Sequence, residues 1–366
     1  MLCFAIAFSV CPYLSVTASA EIGISAKSAI LIDADGGGVL FSKNAYERMG
    51  MASTTKIMTA LTVLRLSDVD RTVTVPCEAV GTEGSSVYLC EGEKLTVGEL
   101  LYALLLASAN DAAVALAIAL AGSVERFCDH MNLYAAELGL ENTHFTNPHG
   151  LSDSDHYTTA YDLSMISREA LANDTLREIF STYKKTLPMC GEADKRLVVN
   201  HNKLLRSYDG AIGMKTGFTK ATGRCLVSAA QRDGLTLICV TLCAPDDWKD
   251  HTAMLDHGFE NYEKHVFAKT GELEYTLPAV GADSDSVILT NTAPLTLTVK
   301  KGEQIRAEYR FTSSYRFLYA PIEKGYKVGY VTVICEGSSA SSSLEVAQSV
   351  PSAKKRNGIF HFFKKD

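Results

Sequence analysis

Apolar residues in the first part of the chain recur at two different spacings, one typical of strands and one typical of helices. Apolar and polar positions alternate around residues 29–33 and 38–41, on either side of a glycine-rich stretch, and this predicts a β-hairpin. From Ser53 the apolar positions recur at helical spacing, which predicts a helix running to about Leu66. The apolar members of that helix are Ile57, Met58, Leu61 and Leu64.

Two helices that are apolar on nearly every side are predicted at 100–107 and 112–121, as expected for helices buried inside a domain. The stretch between them, residues 108–111, is polar. A capped corner, with Ser108 or Asn110 as the cap, explains part of this polarity and does not exclude a chemical role. Further helices are predicted at 123–140 and, after a capping box that begins at Thr159, up to residue 171.

The chain then returns to strands. The predicted elements are strands at 184–188 and 197–200, a strand edge at 210–219, a hairpin of 224–230 with 235–243, and a closing helix at 247–265. The order is therefore strands, several helices, strands and a last helix. This order favours an α+β fold, in which one antiparallel sheet gathers strands from both ends of residues 21–265 and carries the packed helices.

The part of the chain from 266 to 335 is predicted to contain short strands only, which indicates a separate small all-β domain. Residues 336–366 are predicted to be a linker and a tail, because 336–343 is rich in Gly and Ser. In the tail, Lys and Arg residues bracket one Ile and three Phe. This composition suits contact with an anionic membrane surface, and a solvated disordered tail is the alternative.

Length and charge narrow the class of protein. At 366 residues the chain exceeds one typical domain, in agreement with two. The formal net charge is −7, and no basic stripe interleaved with aromatic residues occurs in the globular part. Both features argue against a nucleic-acid-binding protein, so no nucleic acid is expected as a partner.

The N-terminus has the features of an export signal. Residues 1–20 are uncharged and mostly apolar, and they end in Ala18-Ser19-Ala20, a small-x-small cleavage pattern. No Lys or Arg precedes the apolar run, which would be explained by a natural start upstream of Met1. A buried N-terminal helix is the weaker alternative, because Ser, Thr, Pro and Cys interrupt the run. The sequence therefore predicts a signal peptide and export beyond the cytoplasmic membrane.

Ten cysteines are present, and two of them lie within the predicted signal peptide. Exported chains meet oxidising conditions, and Cys77 with Cys90, which flank one loop, is the predicted disulfide. Cys225, Cys239 and Cys243 lie in apolar strand-like runs and are predicted to be core residues. Neither C-x-x-C nor H-E-x-x-H occurs, so the sequence predicts no metal site and no cofactor.

The first candidate for chemistry is the pair Ser53 and Lys56. Three residues apart on a helix, both side chains emerge on the same face. A serine hydroxyl is a poor nucleophile until a base lies next to it, and a desolvated lysine can be that base. Taken alone, however, the pair is better explained by an N-capping serine and a solvated lysine, since such a match is expected by chance about once in a chain of this length.

Two further polar sites change this balance. Ser108-x-Asn110 lies at the predicted helix corner, and Lys215-Thr216-Gly217 lies on the predicted strand edge. S-x-x-K, S-D-N and K-T-G together are the signature of penicillin-binding proteins and class A β-lactamases. The chain carries all three sites in this order, with Ala in place of the Asp.

Four longer stretches strengthen the match: residues 52–59, 108–112, 147–151 (Asn-Pro-His-Gly-Leu) and 213–219. They resemble the low-molecular-weight penicillin-binding proteins, the serine-type D-alanyl-D-alanine carboxypeptidases. The match covers about residues 25–265, and the β-rich part and the basic-aromatic end are similar to that family's C-terminal domain and membrane tether.

The resemblance implies a penicillin-binding/β-lactamase-like α+β fold, with an antiparallel sheet, packed helices and a helical subdomain, plus a small C-terminal all-β domain. It also implies an enzyme that removes the terminal D-alanine from peptidoglycan stem peptides and is acylated by β-lactam antibiotics. The place of action would be the outer face of the cytoplasmic membrane or the cell wall.

The resemblance also implies site roles. These are Ser53 as the acyl-ester nucleophile, Lys56 as the proton acceptor, Ser108 as a proton relay, Asn110 as a positioning residue, Lys215, Thr216 and Gly217 as substrate-binding residues, and the backbone N–H groups of Ser53 and Phe218 as the oxyanion hole. Two departures are visible. Phe218 stands where some members carry His, which concerns substrate preference, and the terminal anchor is short, which concerns the strength of membrane attachment.

Two alternatives remain at this point. A serine β-lactamase shares the three motifs, but its E-x-x-L-N motif is absent, and Glu141 stands where the Asn would be in the nearest match, residues 137–142. The second alternative is a catalytically idle, membrane-tethered module that binds the wall or senses β-lactams. The intact nucleophile, base and K-T-G argue against that module.

Overall fold

The computed structural model describes residues 22–190, 195–335 and 337–353. The predicted signal peptide at 1–20 and the basic-aromatic stretch from 354 onward lie outside these residues. Within the described ranges, no helix combines the length and the apolar character needed to cross a bilayer.

The first domain alternates between a sheet and a set of helices. Its elements are β1 (Ser28–Asp33), β2 (Val39–Lys43), α1 (Lys56–Leu66), β3 (Thr72–Thr74), β4 (Lys94–Thr96), α2 (Val97–Leu106), α3 (Asn110–Ala121), α4 (Val124–Glu137), α5 (Ala160–Ala172), α6 (Asp174–Ser181), β5 (Lys184–Pro188), β6 (Lys195–Val199), α7 (Leu204–Ser207), β7 (Ala211–Thr219), β8 (Gly223–Arg232), β9 (Leu235–Leu242) and α8 (Asp247–Asn261). A 3-10 turn at Ala52–Thr55 leads directly into α1.

The central sheet has five antiparallel strands in the order β2-β1-β9-β8-β7. Strand β1 pairs with β9, with Ile30 opposite Val240, so the sheet joins the two ends of the domain. Every residue of β9 is buried, and its side chains alternate between two apolar clusters, one on each face. The predicted α+β fold is confirmed. Strand β7 forms one edge of the sheet, which leaves one side of its backbone outside the ladder.

The two predicted apolar helices are α2 and α3. Thr96 and Glu99 form a capping box at the start of α2, in which Thr96 Oγ1 accepts from Glu99 N at 3.1 Å and the Glu99 carboxylate accepts from Thr96 N at 2.8 Å. Thr159 caps α5 by accepting from Asp162 N at 2.9 Å. Because α2 and α3 lie in the main core, the polar corner between them is held inside the domain.

The second domain contains strands only among its described elements. These are β10 (Tyr262–Ala268), β11 (Glu274–Val280), β12 (Ser286–Asn291), β13 (Leu295–Lys300), β14 (Glu308–Ser313), β15 (Leu318–Tyr319), β16 (Lys327–Cys335) and β17 (Ser338–Val346). Six of them form a sheet in the order β14-β16-β17-β12-β11-β15, and β10 pairs with β13. A separate apolar cluster fills this domain, as expected for an all-β unit with its own core.

Two of the differences from the predicted boundaries change the type of element. Helix α8 ends at Asn261, and the predicted continuation to His265 is wrong, because β10 pairs there with β13 and its backbone hydrogen bonds are made in a sheet. The predicted linker at 336–343 is also wrong over Ser338–Val346, which is strand β17 between β16 and β12. Its buried side chains, Ser342, Leu344 and Val346, alternate with partly buried ones, and strand pairing overrides the linker-like composition of this Ser-rich stretch.

The predicted disulfide is wrong as well. Cys90 is bonded to Cys190, and Cys77 is a free, exposed thiol. The bridge joins the loop before β4 to the tip of the β5–β6 hairpin, where Arg196 also pairs with Glu93 at 2.8 Å. The nearness of the two sulfurs depends on how distant segments pack, and spacing along the chain carries no such information.

Candidate active site

Ser53 lies in the 3-10 turn that precedes α1, with the preceding Ala52 in the left-handed region at φ +48°. A non-glycine residue in this conformation is strained and is kept only where the surroundings hold it. No side chain caps α1, so Ser53 is not acting as an N-cap. The turn therefore presents the Ser53 hydroxyl outward from a fixed backbone.

Lys56 is fully buried, and its amine reaches three oxygens. Nζ lies 2.9 Å from Ser53 Oγ, 2.7 Å from Asn110 Oδ1 and 2.6 Å from the carbonyl oxygen of His149. Burial lowers the pKa of Lys56 well below its ordinary value, and the charge of Lys215 lowers it further, while Asp111 opposes the change. The amine is therefore held toward its neutral form.

These contacts fix the direction of the Lys56 lone pair. A neutral amine has two N–H bonds and one lone pair. Two of the three oxygens, Asn110 Oδ1 and the His149 carbonyl, can only accept hydrogen bonds, so they take the two N–H groups. The lone pair then faces Ser53 Oγ, whose hydroxyl can donate to it. The arrangement is that of a nucleophile next to its base.

Lys215 is a second buried lysine, 1% exposed, on the edge strand β7. Burial lowers its pKa to about 7, and Nζ donates to the carbonyl oxygen of Thr216 at 2.8 Å. In its protonated form Lys215 supplies a buried positive charge, which suits an anionic group of a ligand.

Strand β7 lies directly against the nucleophile turn. A Cβ added to Gly217 would lie 3.0 Å from Ser53 N and 3.1 Å from Ala52 Cβ, so only Gly fits without displacement. The next residue, Phe218, is 64% exposed, and its side chain faces solvent. The structure thus brings the K-T-G strand and the turn that carries Ser53 together.

Ser108 and Asn110 lie in the buried corner between α2 and α3. Ser108 has φ +60°, a strained conformation for a residue with a side chain, and Asn110 is the first residue of α3. Asn110 Nδ2 donates to the carbonyl oxygen of Glu83 at 2.5 Å, which points Oδ1 at Lys56. No hydrogen bond among the described residues joins Ser108 to Ser53 or Lys56.

The loop at 147–151 supplies a contact that sequence reasoning did not assign. Asn147 Oδ1 accepts from Gly150 N at 2.7 Å and turns the loop so that the His149 carbonyl faces Lys56. Gly150 has φ +88°, and a Cβ there would lie 2.0 Å from the Ala52 carbonyl oxygen. The stretch was part of the family resemblance, but its contribution is a backbone oxygen, which residue type does not reveal.

A buried chain of hydrogen bonds supports the peptide group before the nucleophile. His156 Nδ1 accepts from Thr146 N at 3.1 Å, so its proton lies on Nε2, which donates to Thr55 Oγ1 at 2.7 Å. Thr55 Oγ1 in turn donates to the carbonyl oxygen of Ala52 at 2.8 Å. Burial lowers the pKa of His156 to about 4, which keeps the ring neutral in this role. The chain holds the Ala52–Ser53 peptide in place.

Comparisons with known proteins agree with this geometry. The family profile described as D-alanyl-D-alanine carboxypeptidase matches residues 15–246, and that of the penicillin-binding protein 5 C-terminal domain matches residues 262–352. The chain is 34% identical over 359 residues to D-alanyl-D-alanine carboxypeptidase DacF of Bacillus subtilis, covering 95% of this chain and 90% of that protein.

Solved structures give the same result. Penicillin-binding protein 5 from Haemophilus influenzae superposes with a TM-score of 0.72 at 30% identity, over 90% of this chain and 98% of that one. A peptidoglycan synthesis regulatory factor from Streptococcus pneumoniae superposes with a TM-score of 0.79 at 24% identity, over 90% of this chain and all of that one, and supports the shared fold. The chain therefore belongs to the D-alanyl-D-alanine carboxypeptidase family and is a serine-type, low-molecular-weight penicillin-binding protein.

Proposed function

We propose that Ser53 carries the carboxypeptidase reaction on the D-Ala-D-Ala end of peptidoglycan stem peptides. The observation that supports this most strongly is the set of Lys56 contacts, in which a buried amine turns its lone pair to Ser53 Oγ. As Ser53 attacks the carbonyl carbon of the penultimate D-alanine, Lys56 takes the hydroxyl proton. The product of this step is an ester on Ser53, formed as the bond to the terminal D-alanine breaks.

The leaving amine of D-alanine must gain a proton. Ser108, in the strained corner next to Asn110, is the proposed relay for the proton that Lys56 has taken. Asn110 is the proposed positioning residue, because one amide group contacts both Lys56 and the loop at Glu83. A water molecule then hydrolyses the ester and restores Ser53.

Strand β7 is the proposed binding edge for the substrate backbone. Lys215 supplies positive charge for the terminal carboxylate, and the Thr216 hydroxyl is proposed to help bind that group. Gly217 permits close approach, and the backbone N–H groups of Ser53 and Phe218 are the proposed oxyanion hole. The site is thus proposed to recognise the free C-terminal carboxylate of the peptide, which every carboxypeptidase substrate has.

β-Lactam antibiotics are expected to acylate the same serine. The β-lactamase alternative is not favoured, because the nearest match to a deacylation motif lies away from the nucleophile. Its Glu137 ends α4, pairs with Arg65 and is 43% exposed, and Glu141 is exposed as well. The acyl-enzyme formed with penicillin is therefore expected to be long-lived.

The proposed location is the outer side of the cytoplasmic membrane. Residues 1–20 have the pattern of a signal peptide, and family members act on the cell wall. The basic-aromatic tail from 354 onward is proposed to contact the membrane surface.

A direct test uses a pentapeptide that ends in D-Ala-D-Ala. The purified protein should release free D-alanine, and Ser53→Ala should lose this activity by at least about a thousandfold, since the nucleophile is removed. Penicillin should add its mass to the protein and not to Ser53→Ala, as read by intact-mass spectrometry. Equal D-alanine release by both proteins would refute the nucleophile assignment, and rapid turnover of penicillin would favour the β-lactamase.

A further inference from the structure

The second domain carries a cluster of exposed aromatic side chains around a groove of about 810 Å³. We call it the aromatic rim and define it as Tyr315, Phe317, Tyr319 and Tyr326. Tyr319 is 69% exposed and Phe317 is 43% exposed, although large aromatic side chains normally seek burial. A patch of this kind on a small domain marks a site of interaction.

The rim is rigidly built. Leu318 and Tyr319 form the edge strand β15, which pairs with Ala279 and Val280 of β11. Leu318 points into the domain core, so the side chains on either side of it, Phe317 and Tyr319, point outward. Their rings meet edge to face at 5.2 Å. The aromatic side chains are therefore presented by a fixed backbone.

The groove is closed on its other side by a second aromatic pair. The hydroxyls of Tyr315 and Tyr326 lie 2.8 Å apart, with their rings 6.0 Å apart. Ile322 is buried beneath the rim and fastens this segment to the domain core. The groove thus has aromatic walls that present both ring faces and hydroxyls, as side chains do at the boundary between water and lipid.

Basic residues outnumber acidic ones in the segment that carries these rings. Between 314 and 327 the chain has three basic residues, Arg316, Lys324 and Lys327, against one acidic residue, Glu323, although the whole protein carries −7. All four are exposed. Positive charge with exposed Phe and Tyr suits the headgroup layer of an anionic bilayer, where cations meet lipid phosphates and rings enter the interface.

The point at which the described chain ends supports the same partner. Ala353 N donates to the carbonyl oxygen of Gly281 at 2.8 Å, and the adjoining Val280 pairs with Tyr319 in the sheet. The tail therefore starts beside the rim. Its residues 354–366 contain five Lys or Arg against one Asp, with three Phe and one Ile. The last described residue before this basic-aromatic sequence is thus anchored one strand away from Tyr319.

We infer that the aromatic rim is a membrane-contact surface of the second domain, with Phe317 and Tyr319 entering the interface of an anionic bilayer. This inference adds a surface to the proposed attachment through the tail, and it does not depend on the catalytic roles. Because two attachment points lie on one domain, they restrict how the enzyme can turn relative to the membrane.

The first test measures binding of the full chain to vesicles of phosphatidylglycerol and phosphatidylcholine by sedimentation. Phe317→Ser with Tyr319→Ser should weaken binding about tenfold, because two partly exposed rings lose their apolar contact. The matched control is Tyr46→Ser, a 64% exposed ring on the first domain, which should bind as the wild type does. D-Alanine release from a soluble peptide should be unchanged in both variants, which separates this test from that of the proposed function.

The second test reports insertion directly. Tyr319→Trp in a Trp248→Phe background places the only tryptophan of the chain on the rim, and its emission should shift to the blue on anionic vesicles but less on pure phosphatidylcholine. Lipids brominated in the acyl chains should quench it.

Three results would overturn the inference. These are wild-type vesicle binding by the double variant, an equal loss in Tyr46→Ser, and tryptophan emission from the Tyr319→Trp protein that stays solvent-exposed on bound vesicles. If the double variant lost binding to purified wall glycan but bound vesicles as the wild type does, the inference would likewise be overturned, and the rim would be a binding surface for sugar rings.

Discussion

Replacing Lys215 with Met should stabilise the fold while it removes activity. Lys215 is buried, and its pKa falls from an ordinary 10.5 to about 7. Each pH unit of that difference corresponds to about 1.4 kcal/mol, so a charged Lys215 costs the folded state about 5 kcal/mol. Loss of the hydrogen bond to the Thr216 carbonyl offsets about 1 kcal/mol. The variant should therefore be more stable by about 4 kcal/mol at pH 6.

The pH dependence gives the sign of this effect. Below pH 7 both the folded and the unfolded protein hold the Lys215 proton, and the full cost of a buried charge applies. Between about 7 and 10.5 the folded state has released the proton while the unfolded state still holds it. The cost therefore shrinks as the pH rises, and the advantage of Lys215→Met should fall by about 3 kcal/mol between pH 6 and pH 9.

The assay is urea unfolding at pH 6 and pH 9, followed by far-UV circular dichroism, with the disulfide intact. Lys220→Met, an exposed position in the turn between β7 and β8, is the control and should show no such dependence. D-Alanine release should fall in Lys215→Met, because the substrate carboxylate loses its cation. A stability difference from the wild type that is equal at both pH values would refute the argument that a buried charge destabilises the fold.

Three other changes test the support of the site and the fold. Thr55→Val removes the hydroxyl that donates to the Ala52 carbonyl, so acylation by a fluorescent penicillin should slow about tenfold. Thr55→Ser keeps a hydroxyl and should acylate at about the wild-type rate. A wild-type rate in Thr55→Val would contradict this role. Gly150→Ala places a Cβ against the Ala52 carbonyl at φ +88°, so D-alanine release should fall about a hundredfold, and a normal rate would show that the loop can move away. The double variant Cys90→Ser, Cys190→Ser removes a crosslink between residues 100 apart in the chain, so the free energy of unfolding by urea should drop by about 2–4 kcal/mol. An unchanged free energy of unfolding would show that the disulfide does not stabilise the fold.

The proposed reaction depends on two lysines with different tasks. Lys56 must be neutral to accept a proton, whereas Lys215 must be charged to bind a carboxylate. A positive charge on one lysine disfavours a positive charge on the other. The two lysines therefore titrate as a coupled pair, in which one is protonated while the other is neutral. Lys56 is the neutral member, because burial and the charge of Lys215 hold its pKa well below the ordinary value, and the neutral amine can then turn its lone pair to Ser53 Oγ.

Local pattern determined much of this protein. Helical spacing at 53–66 and the apolar runs beside the 108–111 corner were enough to predict α1, α2 and α3, because periodicity reflects which face an element buries. The contact between Ser53 and Lys56 follows from a three-residue separation on a helix, and the structure confirms it at 2.9 Å.

Only the tertiary structure decided the rest. The pairing of Cys90 with Cys190, the strand at Tyr262–Ala268 and the strand at Ser338–Val346 depend on segments far away in the chain, which supply a sulfur or a row of backbone groups. The same is true of the site. Lys56 contacts the carbonyl oxygen of His149, and Gly217 lies against Ser53 N. Both contacts involve backbone atoms, which every residue has, so the residue types in the sequence do not predict them. Side-chain chemistry can be read from order and spacing, whereas contacts between distant backbone segments exist only once the chain has folded.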